Sequence, residues 1–141
     1  MPDLTALFSE LIRFETELWN AVDTRLRGDC DLPLTQFEPM QIISRQRCRV
    51  QDIAEELSIT IGGTSKLVDR IEAAGHCRRR PNPADRRSSL IELTPAGRRL
   101  LAKATEAFDD ELQARLGAAV SERSLQQFST TLAKLRAHKS H

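Results

Sequence analysis

Apolar residues recur at helical spacing in a long stretch at each end of the chain. In the first stretch they follow one another at steps of three and four, which is the period of one helix face: Leu4, Leu7, Leu11, Phe14, Leu18, Val22 and Leu26. This pattern predicts a long first helix that stops near Gly28. The second stretch follows a Ser121 cap and forms a coiled-coil-like seam of Leu125, Phe128, Leu132 and Leu135. Such stripes exceed what a small core covers, so we expect them to join two copies of the chain.

The middle of the chain predicts a helix-turn-helix unit. A second helix is expected to start at Thr35, where Thr35 and Glu38 match a capping box. A short helix from Val50 to Leu57 follows, and a turn leads to Thr60, which caps a further helix ending at Gly75. Two helices joined by so short a turn are typical of the unit that places its second helix in a DNA groove.

A β-hairpin and another helix are predicted after this unit. The segments Cys77 to Arg80 and Ser88 to Leu93 pair as strands around Pro-Asn-Pro-Ala-Asp, a loop rich in turn formers. Thr94-Pro95 then opens a helix with an N-cap and a proline in its first position, and this helix continues to Gly117. The pattern therefore predicts a mainly α chain with one small hairpin.

The formal net charge of +1 conceals a basic middle. From Lys66 to Arg99, nine Lys and Arg stand against four Asp and Glu, a local balance of +5. The flanking stretches, Met1 to Ser65 and Leu100 to Glu122, are net acidic. A localised basic surface suits the phosphate backbone of nucleic acid, although composition alone leaves a solvated, salt-bridged surface equally open.

Other features of the composition exclude several classes. Neither an apolar run long enough for a membrane span nor a signal-peptide pattern occurs, so we expect a cytoplasmic protein with no membrane partner. Cys30, Cys48 and Cys77 are widely spaced without a CxxC pair, which argues against a zinc knuckle or a disulfide scaffold. No set of residues assembles a nucleophile, a base and an oxyanion site. We therefore predict no catalytic site, no metal and no cofactor.

The helix after Thr60 carries the main DNA-binding signal. One of its sides is apolar and is expected to pack, while the opposite side holds Gly62, Ser65, Lys66 and Asp69. Small residues at the helix start let a backbone approach DNA closely, and Ser65 and Lys66 then reach base edges in the major groove. An ordinary amphipathic surface helix is the alternative, but a Gly62-Gly63 pair lowers helix propensity without a visible gain.

The hairpin loop presents a second cluster of charge. Asp85, Arg86 and Arg87 lie at its tip, and an arginine there suits insertion into a narrow minor groove, where the negative potential is strongest. Asp85 is positioned to hold such an arginine in an extended pose. The cations from Arg78 to Arg80 lie near the same side and suit contacts to the DNA backbone.

Together these segments resemble the MarR (multiple-antibiotic-resistance regulator) family. The residues that look like the family's signature are Leu67 to Gly75, Arg79, Asn82 to Arg87 and Ile91 to Arg98, and Leu34 to Gln36 and Asp52 to Leu57 also match. The resemblance covers essentially the whole chain and is most specific in its middle.

The resemblance implies a winged helix-turn-helix with long N- and C-terminal dimerisation helices. Residues 1–30 and 95–141 would form the homodimer, and residues 35–94 would bind a pseudo-palindromic double-stranded DNA operator. The recognition helix would run from Ile61 to Ala74, with Arg87 of the wing in the minor groove. The predicted DNA-binding residues are Thr60, Gly62, Gly63, Ser65, Lys66, Asp69, Arg70, Arg79, Asp85, Arg86 and Arg87. The expected function is sequence-specific regulation of transcription, usually as a repressor relieved by a small effector.

The resemblance also implies a ligand pocket between the dimerisation and DNA-binding parts. Phe14, Leu18, Trp19 and Met40 are apolar residues expected to line it, with core packing as the alternative for most of them. Arg13 is expected to meet the carboxylate of a small aromatic effector.

Departures from the family pattern leave alternatives open. Arg49 stands where the family usually has a Ser or Thr cap, which predicts a weakly capped short helix. His76-Cys77 stands where two aliphatic residues are common, so a redox- or metal-sensing regulator acting through Cys30, Cys48 or Cys77 is one alternative. A winged-helix module that binds protein rather than DNA is another, and the basic loop tip argues against it.

Overall fold

The computed structural model describes residues 1–138, and within them six α-helices and one two-stranded sheet follow the predicted order. The elements are α1 (Leu4–Cys30), α2 (Leu34–Arg45), α3 (Val50–Leu57), α4 (Ile61–Ala73), β1 (Cys77–Pro81), β2 (Ser89–Leu93), α5 (Pro95–Leu112), a π-helical turn (Gln113–Gly117) and α6 (Glu122–Ala137). The mainly α class with a small β-wing is confirmed. The last three residues of the predicted C-terminal dimerisation segment, 139–141, lie outside the described residues.

The core lies where α2, α4, β2 and α5 meet the C-terminal half of α1. Phe37 and Met40 from α2, Ile71 from α4 and Ile91 from β2 are fully shielded from solvent. In contrast, α1 contributes only two buried residues and α6 contributes none. Much of both terminal stripes is therefore uncovered within one chain. None of the helices described here has the length and apolar character needed to cross a bilayer.

The helix-turn-helix forms as the local signals predict. Ser58 adopts a left-handed conformation, with φ 56°, between α3 and α4. The Thr60 hydroxyl accepts the Gly63 N–H at 3.0 Å and caps α4. Gly75 ends the helix at φ +83°, a region that favours glycine, and the next N–H donates back to the Ile71 carbonyl at 3.0 Å. The predicted caps of this unit are confirmed.

The wing is an antiparallel hairpin that joins the core through a third segment. Cys77 pairs with Leu93 and Pro81 with Ser89 at the two ends of the ladder. Ile91 of β2 also donates its N–H, at 2.8 Å, to the carbonyl of Cys48, which lies outside the hairpin. The sequence pattern did not predict this bridge. At the wing root, a Cβ added to Gly97 of α5 would lie 2.0 Å from the His76 carbonyl oxygen. Only glycine permits this close approach of α5 to the wing.

Two predicted helix ends in the first half of the chain are wrong. α1 does not stop near Gly28 but continues to Cys30 and ends where Asp31 turns left-handed, with φ 51°. The Thr35–Glu38 capping box does not form, because α2 begins one residue earlier at Leu34. The Leu34 N–H donates to Asp23 Oδ1 of α1 at 2.8 Å.

Two aspartates accept backbone N–H groups at the starts of helices, and each of them is also hydrogen-bonded to an arginine. Burial by itself raises the pKa of Asp23, but hydrogen bonds from the Leu34 N–H and from Arg27 outweigh it and lower the pKa. At α3, Asp52 accepts the Arg49 backbone N–H at 2.9 Å and the Arg49 guanidinium at 3.0 Å. Asp52, at the third position of α3, thus compensates for the weak cap predicted at Arg49. In both helices a carboxylate accepts an N–H group at the helix start.

Candidate nucleic-acid interface

The N-terminal end of α4 forms an open surface. Gly62 and Lys66 are exposed, Ser65 is half-buried, and the opposite side of the helix packs through Val68 and Ile71. A Cβ added to Gly62 would meet nothing within 4 Å. The packing of the chain therefore does not require a glycine at this position, although glycine lowers helix stability. The packing within the chain leaves the absence of a side chain at Gly62 unexplained.

Two exposed isoleucines flank this helix start and were not predicted as site residues. Ile59 is 42% exposed and Ile61 is 61% exposed, on either side of the Thr60 cap. Exposed apolar residues are common on protein surfaces, so their place beside the Thr60 cap, rather than their exposure, makes them candidates for a contact. In the sequence they could have been noticed as two isoleucines that fit neither the core stripe of α3 nor that of α4.

The wing tip is built by an aspartate turn. Asp85 Oδ1 accepts the Arg87 backbone N–H at 2.9 Å, and the same oxygen lies 3.6 Å from Arg87 Nε. The Asn82 side chain braces the loop by accepting the Ala84 N–H at 3.0 Å and donating to Ser88 at 3.0 Å. The Arg87 side chain is 95% exposed, so the loop presents its guanidinium to solvent.

Arg79 is tied to α4 rather than free in solvent. Its Nη2 lies 2.7 Å from Asp69 Oδ1 and its Nη1 lies 2.7 Å from Glu72 Oε1. The Arg79 backbone N–H also donates to Glu72 at 3.2 Å. Two predicted DNA-binding residues, Asp69 and Arg79, therefore contact each other, and this link fixes the wing against α4.

The two other arginines of β1 converge on one carboxylate. Arg78 Nε lies 2.6 Å from Glu92 Oε1, Arg80 binds the same oxygen, and Arg47 lies 4.0 Å from the other. The hydrogen bonds from Arg80 and Arg78 hold the pKa of Glu92 at about 2. The stem of the wing is thus cross-braced, while the cations of its tip and of α4 (Arg86, Arg87, Lys66 and Arg70) remain exposed.

The five predicted pocket residues lie in four different places. Leu18 and Trp19 line a groove of about 240 Å³ between α1, α2 and α5. Phe14 lines a separate cavity against α6, and Arg13 lies on an exposed side of α1, 3.9 Å from Glu10. Met40 is wholly buried in the core.

The groove contains residues that the sequence pattern did not single out. Its lining, which we call the α1–α2–α5 groove, is Glu15, Leu18, Trp19, Val22, Leu34, Glu38, Gln41, Phe108 and Leu112. Its charged members are Glu15 and Glu38, whereas the sequence analysis expected the cation Arg13 in the pocket. Whether these glutamates line the groove depends on how α1, α2 and α5 pack together, and the local sequence does not determine that packing.

The cysteines differ in their surroundings. Burial raises the pKa of both the Cys48 and the Cys77 thiol to about 11, and both side chains are nearly inaccessible. Reactive cysteines are exposed and have a lowered pKa, so neither fits a redox sensor. Cys30 is half-buried at the end of α1. Over residues 1–138, no three His, Cys, Asp or Glu side chains come together as a metal site.

Comparison of the sequence with known proteins agrees with the geometry. The MarR family model matches residues 32–89, from the loop before α2 to the wing. The multiple antibiotic resistance protein MarR of Salmonella typhimurium is 30% identical over 104 residues, which cover 69% of this chain and 72% of that protein. YfiV of Bacillus subtilis, an uncharacterized HTH-type transcriptional regulator, is 28% identical over 71 residues, covering 50% of this chain and 44% of that protein.

Solved structures confirm the fold. Sco3205, a MarR family transcriptional regulator from Streptomyces coelicolor solved in complex with DNA, has a TM-score of 0.88 at 20% identity and covers 94% of this chain and 84% of its own. A mutant MarR from E. coli complexed with operator DNA has a TM-score of 0.85 at 20% identity, with 94% of each chain covered. These neighbours are regulators rather than enzymes. From the winged helix-turn-helix and the similarity to MarR over two thirds of its length, the chain belongs to the MarR family of DNA-binding transcriptional regulators.

Proposed function

We propose that this regulator binds a pseudo-palindromic DNA operator as a homodimer and represses transcription until a small effector releases it. The observation that carries the proposal is the open N-terminal end of α4, where Gly62 leaves space that the chain itself does not fill. A DNA target also implies a cytoplasmic location.

In this proposal α4 is the recognition helix. The positive end of the α4 dipole favours a phosphate near Thr60, Gly62 and Gly63, where the Thr60 hydroxyl already accepts the Gly63 N–H. Ser65 and Lys66 face the bases of the major groove, and Arg70 lies further along the helix toward the backbone. Close approach of a DNA backbone explains why Gly62 has no side chain.

The wing supplies the second contact. Arg87 enters the minor groove with Arg86 beside it, since a 95%-exposed guanidinium on a braced loop loses little packing on insertion. Asp85 fixes the backbone of the loop at Arg87 by accepting the Arg87 N–H. Arg79 and Asp69 act as positioning residues, because their ion pair holds the wing and α4 in one arrangement.

The uncovered terminal helices provide the proposed dimer interface. The exposed apolar residues on α1 and α6 include Leu4, Leu7, Phe8, Leu11, Ile12, Phe128, Leu132 and Leu135. Full burial of one such side chain contributes about 1.5–3 kcal/mol, so several of them suffice for a stable two-fold dimer. Residues 1–30 and 95–141 would then form the dimerisation part, with residues 35–94 as the DNA-binding part.

The effector site is proposed in the α1–α2–α5 groove. α2 packs on both α4 and α5, so a ligand held between α1 and α2 biases the position of the recognition helix. The release of DNA is then limited by the ligand's differential affinity for the two arrangements.

A pair of glycine substitutions tests the DNA-binding surface. Gly62→Gln and Gly28→Gln both add a side chain to an exposed helical glycine whose Cβ would meet nothing within 4 Å. Both variants should fold at least as stably as the parent. After genome-wide mapping has supplied an operator, Gly62→Gln should weaken its binding at least about tenfold and Gly28→Gln should not. Unchanged binding of Gly62→Gln would remove the proposed approach of DNA to α4.

A further inference from the structure

We infer that the α1–α2–α5 groove takes a cationic amphiphile, a small apolar or aromatic body with one protonated amine. This inference rests on the proposed effector site and names its ligand class. It replaces the aromatic carboxylate expected from the family resemblance, because Arg13 lies outside the groove and two glutamates lie in it.

The apolar part of the groove suits a small body of one or two rings. Its walls are Leu18, Trp19, Val22, Leu34, Phe108 and Leu112. The Phe108 ring is itself fixed, since its centroid lies 4.8 Å from that of the buried Phe37. A volume of about 240 Å³ lies just below the range of about 300–1,000 Å³ usual for drug-sized ligands, so the occupant is small.

The charge in the groove has one sign. Glu15 of α1 and Glu38 of α2 are its two ionisable lining residues, Gln41 is neutral, and α5 contributes only Phe108 and Leu112. No Lys, Arg or His of the described residues lines it. A carboxylate ligand would therefore meet like charge without a counter-ion, whereas an ammonium would meet two carboxylates over aromatic faces that also attract cations.

Glu38 lacks a partner of its own. Asp23, Asp52 and Glu92 are each held by an arginine, but within residues 1–138 no side chain forms an ion pair or hydrogen bond with the Glu38 carboxylate. Burial raises the pKa of Glu38, and no neighbouring cation offsets it. A half-buried carboxylate in an apolar groove is costly unless it is paired. A ligand's ammonium would supply the missing partner.

The occupant that competes with this proposal is the second copy of the chain. Its uncovered helices are apolar, and a dimer that filled the groove would leave no room for a ligand. Glu38 is half-buried and Glu15 is exposed at the edge of the groove. Two carboxylates are unsuited to such an apolar seam, and charge complementarity favours a cation.

The test uses three probes of one shape and three charges: para-butylbenzylamine, para-butylbenzyl alcohol and para-butylbenzoate. Trp19 is the chain's one tryptophan and lines the groove, so its fluorescence reports occupancy of the full-length protein directly. The amine should bind at least about tenfold more tightly than the alcohol, and the benzoate more weakly than the alcohol. Glu38→Gln should reduce the preference for the amine, with Glu15 left as the second carboxylate, and keep the binding of the alcohol. Glu17→Gln, on α1 but outside the groove, should keep the preference.

The outcomes separate this inference from the proposed function. Benzoate binding more tightly than the amine would overturn the cationic class, whether or not DNA is released. Failure of all three probes to change Trp19 fluorescence would overturn the groove as a ligand site and indicate that the partner chain fills it. Tight binding of the amine that leaves the operator complex intact would support the cation site while removing the effector-relief part of the proposed function.

Discussion

Arg79 connects the wing to α4, and its removal measures what that connection contributes. Its guanidinium forms two ion pairs at 2.7 Å, with Asp69 and with Glu72. The three side chains are 25%, 62% and 40% exposed, so solvent screens both pairs and each contributes about 0.2–1 kcal/mol. Arg79→Met should therefore lower the free energy of unfolding by about 0.5–2 kcal/mol in urea titrations.

DNA binding should suffer more than stability. Without Arg79, two carboxylates on α4, the proposed recognition helix, lose their cation, and the wing root loses its two side-chain ion pairs to α4. We expect operator affinity to fall at least about tenfold, or about 1.4 kcal/mol, in fluorescence anisotropy titrations.

Arg78→Met is the matched control. Arg78 lies in the same strand and carries the same charge, but its Nε pairs with Glu92 across the hairpin and not with α4. Both variants lose one cation, so a purely electrostatic attraction to DNA predicts the same loss of affinity for both. Equal losses at matched ionic strength would refute the positioning role of Arg79.

Three further predictions concern the wing tip, α6 and the hairpin carboxylate. Arg87→Ala should weaken operator binding by about 1–3 kcal/mol, whereas Arg115→Ala, remote on the chain, should not change the titration. Leu132→Glu should convert the proposed dimer to a monomer in light scattering at micromolar concentration, and an unchanged dimer mass would exclude α6 from the interface. The folded-state pKa of Glu92 is lowered from 4.5 to about 2, so its stabilisation is present above pH 4.5 and is lost as the pH falls toward 2. Glu92→Gln should flatten that acid dependence in urea titrations, and an identical acid limb would contradict it.

Most of the fold could be predicted because its signals are local. The Thr60 and Thr94 hydroxyls each accept the N–H three residues later, and Gly75 turns left-handed directly after α4. Each of these features is decided by a few consecutive residues. The start of α2 was missed because a distant residue intervenes: Asp23 lies eleven positions before Leu34 and still accepts its N–H.

The groove could not be predicted for the same reason. Arg13 and Glu15 are two residues apart on α1, so they point to nearly opposite sides of the helix. Only the packing of α1 against α2 and α5 decides which of them faces the groove. The sequence pattern identified Leu18 and Trp19 by their apolar character but gave no information on the charge that would lie beside them.

The arrangement of charge also changes how the basic middle of the chain is understood. The run Arg78 to Arg80 is its densest cluster of cations, yet these arginines are taken up by Glu92, Asp69 and Glu72. An ion-paired arginine attracts a phosphate less than a free one, because binding must first displace its carboxylate partner. The run therefore stiffens the wing and sets its angle to α4. We therefore expect attraction to DNA to come instead from the exposed cations on either side of this stem, Lys66 and Arg70 of α4 and Arg86 and Arg87 of the wing tip.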